Sequence, residues 1–211
     1  MSNQKTQDLI CFRVDASIQI GSGHIERCLT LSKILSELDI KIHFICRNHI
    51  GHMEDRIKSE GFEVTMLPST DEGLVGLDLE HKNKSSLGAS WELDANDTSE
   101  VLLKLKPIWL IVDHYAIDAC WEKSVKLLTN IKIMAIDGLA NRNHDCDMLL
   151  DQTYSLDGIA RWDELIPPHC KLFSGAKYAI LRSEFVTAKR NLRQRTGVIK
   201  RILISFGGTD E

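Results

Sequence analysis

His24 stands in the run Gly21-Ser22-Gly23-His24. An apolar stretch from Leu9 to Val14 precedes it, and Ile25, Cys28, Leu29, Leu35 and Leu38 follow at helical spacing. The pattern reads as strand, glycine turn, helix, with His24 in the first helical turn. Backbone N–H groups there have no internal partner and face the positive end of the helix dipole, so such a turn suits an anionic ligand. A neutral imidazole beside it can serve as a general base on water. The plainer alternative is a helix-start residue that only finishes its own loop. The turn is not G-x-G-x-x-G, because position 26 is Glu, and no G-K-[ST] or G-x-S-x-G run is present. Hydride transfer, P-loop ATP hydrolysis and acyl hydrolysis are therefore disfavoured.

Three further apolar runs end in an acid. Residues 108–112 lead to Asp113-His114-Tyr115, residues 131–136 to Asp137, and residues 148–150 to Asp151-Gln152. In open parallel sheets, ligands bind beyond the carboxyl ends of strands. Gly21, Ser22, Gly23, His24, Asp113, His114, Tyr115, Asp137, Asp151 and Gln152 are thus expected to border one cleft. Arg13 and Arg27 are candidate partners for a phosphate or carboxylate. The bland reading of each Asp is that it caps a turn. Residues 201–206 form another apolar run into Gly207-Gly208-Thr209, a second strand-and-glycine-turn.

The elements that must position these residues alternate. Strands are expected over 41–46 and 62–67 with a helix over 52–60 between them, then mostly loop over 69–96. Asp97-Thr98-Ser99-Glu100 has the form of a capping box, which starts a helix running to about Lys104. Asp118 is placed to cap a helix carrying Trp121, Val125, Leu127 and Leu128, and a last helix is expected from Tyr178 to about Arg193. This is α/β patterning: a Rossmann-like, doubly wound parallel sheet. Residues 1–189 are expected to form one Rossmann-like domain. Residues 190–211 are expected to be a linker and the first strand of a second, truncated domain.

Lys plus Arg is 26 and Asp plus Glu is 30, a formal net charge of −4. That balance makes no electrostatic case for nucleic acid. No apolar run reaches the ~20 residues of a membrane span, and the start of the chain lacks a signal-peptide core. Neither nucleic acid nor membrane is expected as a partner, and a cytoplasmic monomer is. The six cysteines include no C-x-x-C pair. Buried, reduced thiols are the expectation, and His144, Cys146, His169 and Cys170 match no standard zinc spacing.

The motifs together resemble those of the pseudaminic acid pathway UDP-sugar hydrolases, which act on UDP-2,4-diacetamido-2,4,6-trideoxy-β-L-altropyranose. The resemblance begins with Arg13-Val14-Asp15-Ala16-Ser17 and Ile20-Gly21-Ser22-Gly23-His24-Ile25, continued by Arg27-Cys28-Leu29-Thr30-Leu31. Asp113-His114-Tyr115 follows, with Ile117-Asp118 and Trp121-Glu122. Next come Ile136-Asp137, Leu139-Ala140-Asn141-Arg142, His144 and Cys146-Asp147, then Leu149-Leu150-Asp151-Gln152. Tyr178-Ala179, Leu181-Arg182, Glu184-Phe185 and Ile204-Ser205-Phe206-Gly207-Gly208-Thr209-Asp210 complete the set. The resemblance implies two Rossmann-like domains of GT-B type around a cleft, and metal-free, cofactor-free hydrolysis at the anomeric carbon with inversion. His24 falls on the family's base and Tyr115 on its active-site Tyr. Arg13, Asp15, Arg27, Arg182 and the other residues of the cleft fall on its substrate-binding side, and Gly207, Gly208 and Thr209 on its diphosphate turn. Two positions depart from the pattern: Gly138 stands where a second Asp is common, and Thr153 where Asn is common. The resemblance further implies that this chain alone turns over little UDP-sugar. The other readings to separate are a glycosyltransferase with a sugar acceptor and a non-catalytic nucleotide-sugar-binding domain.

Overall fold

The computed structural model describes residues 7–69, 86–192, 197, 199 and 201–204. Its strands are β1 (Leu9–Val14), β2 (Lys41–Arg47), β3 (Glu63–Leu67), β4 (Trp109–Asp113), β5 (Lys132–Ile136), β6 (Met148–Asp151) and β7 (Lys171–Ser174). They form one seven-stranded sheet in the order β3-β2-β1-β4-β5-β6-β7, and every pairing is parallel. The helices are α1 (Gly23–Glu37), α2 (Glu54–Ser59), α3 (Trp91–Leu105), α4 (Ala119–Thr129) and α5 (Ser183–Arg190). Strand order reverses between β1 and β4, so the crevice expected to take a ligand opens beyond Val14 and Asp113, which pair in register. The fold is the expected Rossmann-like α/β sheet.

Helices cover both faces, so the strands are apolar on both sides. Ile25, Cys28 and Leu29 of α1 and Ile57 of α2 pack against Phe12, Val14, Phe44 and Ile111. Ala95 and Leu102 of α3 and Trp121 and Val125 of α4 pack on the other face, against Cys11, Ile45, Leu110, Val112 and Ile133. Strand side chains alternate between faces with period 2. Arg13 therefore shares the α3 face with Cys11, and Arg47 shares it with Ile45. Asp113 shares the α1 face with Ile111.

The α3 face carries a buried ionic cluster. Arg13 donates to Asp94 from Nε (3.1 Å) and Nη2 (2.6 Å), and to Asp15 from Nη1 (2.6 Å). Arg47 donates to the same Asp94 from Nε (3.0 Å) and Nη2 (2.7 Å), and to Asp97 at 3.0 Å. Trp121 Nε1 adds a bond to Asp94 at 2.9 Å. Arg13, Arg47, Asp15 and Asp94 are all fully buried. Burial alone raises the pKa of Asp94 and Asp15, but the adjacent guanidinium of Arg13 outweighs it and holds both below the usual carboxylate range.

This cluster explains one correction. The helix expected from residue 97 starts at Trp91, and its cap is Ser90, whose Oγ accepts from Leu93 N at 3.2 Å. Asp97 to Glu100 lies inside it. Asp94, Thr98 and Ser99 are polar yet buried, so apolar periodicity hid the first turns. Elsewhere, Asp118 caps α4 as expected, accepting from Cys120 N at 2.8 Å. The last helix begins at Ser183, after a single 3-10 turn over Ala176–Tyr178, and β7 was not foreseen. Leu38 ends α1 and is exposed instead of packing with it. Residues 201–204 are irregular, and Ile202, Leu203 and Ile204 are exposed. A strand there requires a neighbour for its backbone groups, and none of the described strands lies beside it.

Asp94→Ala leaves two buried guanidinium groups without their shared carboxylate. It is expected to lower unfolding free energy by about 3–5 kcal/mol in urea titration. A loss below about 1 kcal/mol would show that the cluster is not a structural anchor.

Candidate active site

His24 is the second residue of α1, and its ring sits at the switch point. Asp113 ends β4 on the face that α1 covers, so its carboxylate points up into the helix. The spacing of three residues puts His24 and Arg27 on one side of α1. His24 Nδ1 lies 2.6 Å from Asp113 Oδ1, and Arg27 grips the same carboxylate from Nη2 to Oδ1 (2.6 Å) and from Nε to Oδ2 (2.7 Å). Arg27 Nη2 is 3.2 Å from His24 Nδ1 because both donors converge on one oxygen. Asp113 is fully buried. Burial alone raises its pKa, but the bonds from His24 and Arg27 outweigh it and keep the carboxylate ionised below its usual range. An ionised carboxylate accepts only, so the neutral ring of His24 carries its proton on Nδ1. Among the described residues no hydrogen bond takes up Nε2, and its lone pair is left for chemistry.

The glycine turn borders this ring. Gly21 has a φ of +79°, a left-handed value that glycine accommodates without strain, and its N–H donates to Ser17 O at 2.8 Å. Ser22 is the N-cap of α1 but makes no side-chain cap. The first-turn N–H groups thus take no acceptor from the cap side chain. A Cβ on Gly23 would meet nothing within 4 Å, so packing inside this chain does not require glycine there. A cleft of about 260 Å³ lies between the 16–22 turn and Gly51 and Met53.

Tyr115 packs edge-on to His24, with ring centroids 4.7 Å apart. The guanidinium of Arg142 lies 5.9 Å over the other ring, that of Tyr115, and reaches Asp137 Oδ2 at 2.8 Å. Asp137 also accepts from His144 Nε2 at 2.9 Å, and His144 Nδ1 faces Glu122 Oε1 at 2.8 Å. The second Glu122 oxygen takes the Asp145 N–H. Burial lowers the pKa of His144, but the bonds to Asp137 and Glu122 prevail and push it up to about 9. A buried imidazolium thus ties the 138–147 crossover to α4 and holds Arg142 over Tyr115. Among the described residues no group of three His, Cys, Asp or Glu side chains is arranged to hold a metal ion.

The expected single cleft needs correcting. Asp113, Asp137 and Asp151 do share the carboxyl edge, but not one face. Residues 133, 135 and 149 pack on the α4 side, and strand alternation sends Asp137 and Asp151 the same way. Asp151 is fully buried, accepting from Trp162 Nε1 (2.9 Å) and Thr153 N (2.8 Å). Arg13 and Asp15 lie beneath the edge in the ionic cluster and are not presented to a ligand. His114 turns to that side as well: its Nδ1 accepts from Ala116 N at 3.0 Å, and Nε2 faces Asp15 Oδ2 at 3.3 Å. Burial lowers its pKa and keeps it neutral. Gln152 is half-buried, with Oε1 accepting from Ile180 N at 2.7 Å. Arg182 is exposed, stacked 5.6 Å over Phe185. Gly207, Gly208 and Thr209 lie outside the described residues. The two departures from the family pattern touch: a Cβ on Gly138 would collide with Thr153 Oγ1. Of the supports, Arg142 and Glu122 stood in the motifs without a role, and Asp94 was not singled out at all.

A seven-stranded parallel Rossmann-like domain with a histidine-bearing glycine turn at its switch point defines the class. No family model matches the chain. The chain is similar to the UDP-2,4-diacetamido-2,4,6-trideoxy-beta-L-altropyranose hydrolase of Campylobacter jejuni, with 31% identity over 202 residues, 95% of this chain and 61% of that protein. An uncharacterised protein of Methanocaldococcus jannaschii is 25% identical over 205 residues, 95% of this chain and 37% of that one. The chain thus spans between about one third and two thirds of these relatives' lengths. Among solved structures, Acinetobacter baumannii MurG aligns with 11% identity over 80% of this chain and 45% of its own, at a TM-score of 0.47. The calicheamicin glycosyltransferase CalG4 aligns with 18% identity over 75% and 37%, at a TM-score of 0.44.

The His144 bridge gives a pH dependence. Its folded pKa, about 9, stands above the ordinary 6.5, so the stabilisation is fully present below about 6.5 and is lost as pH rises through 9. Urea midpoints measured from pH 6 to 10 are expected to fall across that window, and His144→Gln to flatten the fall. An unchanged pH profile in the variant would place the titration elsewhere.

Proposed function

We propose that this chain is the sugar-side half of a nucleotide-sugar hydrolase, acting on UDP-2,4-diacetamido-2,4,6-trideoxy-β-L-altropyranose or a closely related UDP-sugar. The observation that carries the reading is the His24–Asp113–Arg27 arrangement at the switch point. It supplies a base with a fixed tautomer beside a turn rich in backbone N–H groups. The similarity to the Campylobacter hydrolase over 95% of the chain supports the substrate class.

Water sits on the face of the anomeric carbon opposite the diphosphate. His24 Nε2 takes its proton as the water oxygen bonds the anomeric carbon and the C–O bond to UDP breaks, and the resulting imidazolium is stabilised by Asp113 through Nδ1–H. One base and one water on the opposite face give inversion. UDP leaves as a stable anion, so no strong general acid is needed. Tyr115, held by Arg142, forms the wall beside the ring of His24. The uridine diphosphate is held by a second Rossmann-like unit that begins near Gly207-Gly208-Thr209, and residues 1–189 form the sugar-side domain. On this reading the 211-residue chain alone has little turnover.

In the full-length protein, His24→Ala is expected to lower kcat for UDP release by about 10²–10⁴-fold with the fold intact. Asp113→Asn should lower kcat more than it changes KM, because it removes the acceptor that fixes the ring. A His24→Ala enzyme within a few-fold of wild type would remove His24 from the mechanism.

A further inference from the structure

Cys146 and Cys170 are not used by the site described above, and they meet. Cys146 ends the crossover that leads into β6, and Cys170 ends the turn that leads into β7. Pairing of these two strands, Met148 with Lys171, brings the two thiols together, and Lys171 N donates to Asp147 O at 2.9 Å between them. The sulfurs stand 3.6 Å apart. A disulfide bond is ~2.05 Å long, so closure needs an approach of about 1.5 Å, the scale of a side-chain rotation. Both thiols are free, Cys146 fully buried and Cys170 only partly.

We propose that Cys146 and Cys170 are a site of reversible oxidation that closes to an intramolecular disulfide when the protein meets a peroxide. The two sulfurs are unequal. The sulfur–sulfur contact with Cys146 lowers the Cys170 pKa, against the opposing effect of partial burial. The same contact, with burial, pushes the Cys146 thiol far up. Cys170 is the more exposed sulfur, with a resolving thiol already in contact, the arrangement expected of a redox-sensitive pair. By contrast, Cys11 is buried away from these two, and burial pushes its thiol up to about 12.

The chemistry balances. The Cys170 thiolate attacks one oxygen of hydrogen peroxide, the O–O bond breaks, and hydroxide leaves and takes a proton as water. Cys170 is then a sulfenic acid and the peroxide oxygen is reduced. Cys146 sulfur attacks that sulfur, its proton goes to the departing hydroxide, and the S–O bond gives way to S–S with a second water. The bridge ties the crossover that carries Arg142 and His144 to the foot of β7.

The test treats the purified full chain with hydrogen peroxide, quenches it, unfolds the protein, blocks remaining thiols with an alkylating agent and maps the peptides by mass spectrometry. Two of the six thiols should disappear. The peptides of Cys146 and Cys170 should be joined within one molecule, and dithiothreitol should restore both. Cys146→Ser should stop Cys170 at a sulfenic acid that dimedone traps, and Cys170→Ser should leave Cys146 alkylatable. The proposal is overturned if no thiol is lost, if only the exposed Cys120 reacts, or if Cys170 runs on to sulfinic acid while Cys146 stays free.

Discussion

One buried carboxylate organises the edge of this sheet. Asp113 has no access to water, and it stays ionised only because His24 and Arg27 surround it. Removing it would leave a guanidinium and an imidazole facing each other at 3.2 Å. With it in place, one histidine nitrogen is committed and the other is free. Apolar packing seats α1 on the sheet, and the carboxylate fixes His24 and Arg27 on it, with Tyr115 edge-on to the His24 ring.

Strand alternation decides where it points. Asp113 falls on the α1 face, and the next residue, His114, falls on the other. The same parity puts Arg13, Asp15 and Arg47 under α3, where Asp94 collects the two guanidinium groups. The His24–Asp113–Arg27 group and the Arg13–Asp94–Arg47 cluster are thus separated by the thickness of one sheet. The second support, His144 between Asp137 and Glu122, serves the same end from the far side by holding Arg142 against Tyr115.

Much of the fold was legible because its signals are local. Continuous apolar runs marked β1, β4, β5 and β6, and Asp118 marked the start of α4. Glycine spacing located His24, and runs ending in Asp located the carboxyl edge. Three things were not legible. Asp94 looked like a loop residue because its partners are 81 and 47 positions away. The acids looked equivalent because the face each one takes depends on register, not on type. β7 is four residues long and only partly buried, too short to stand out.

The central claim is that Asp113 sets the tautomer of His24 and frees Nε2. Nitrogen-15 NMR of the histidine rings reads this directly, with Asp113→Asn identifying the affected signals. The account predicts that neutral His24 carries its proton on Nδ1, with Nε2 showing the shift of a bare lone pair. A neutral His24 protonated on Nε2 would contradict it, because the base would then face the buried carboxylate instead of the cleft.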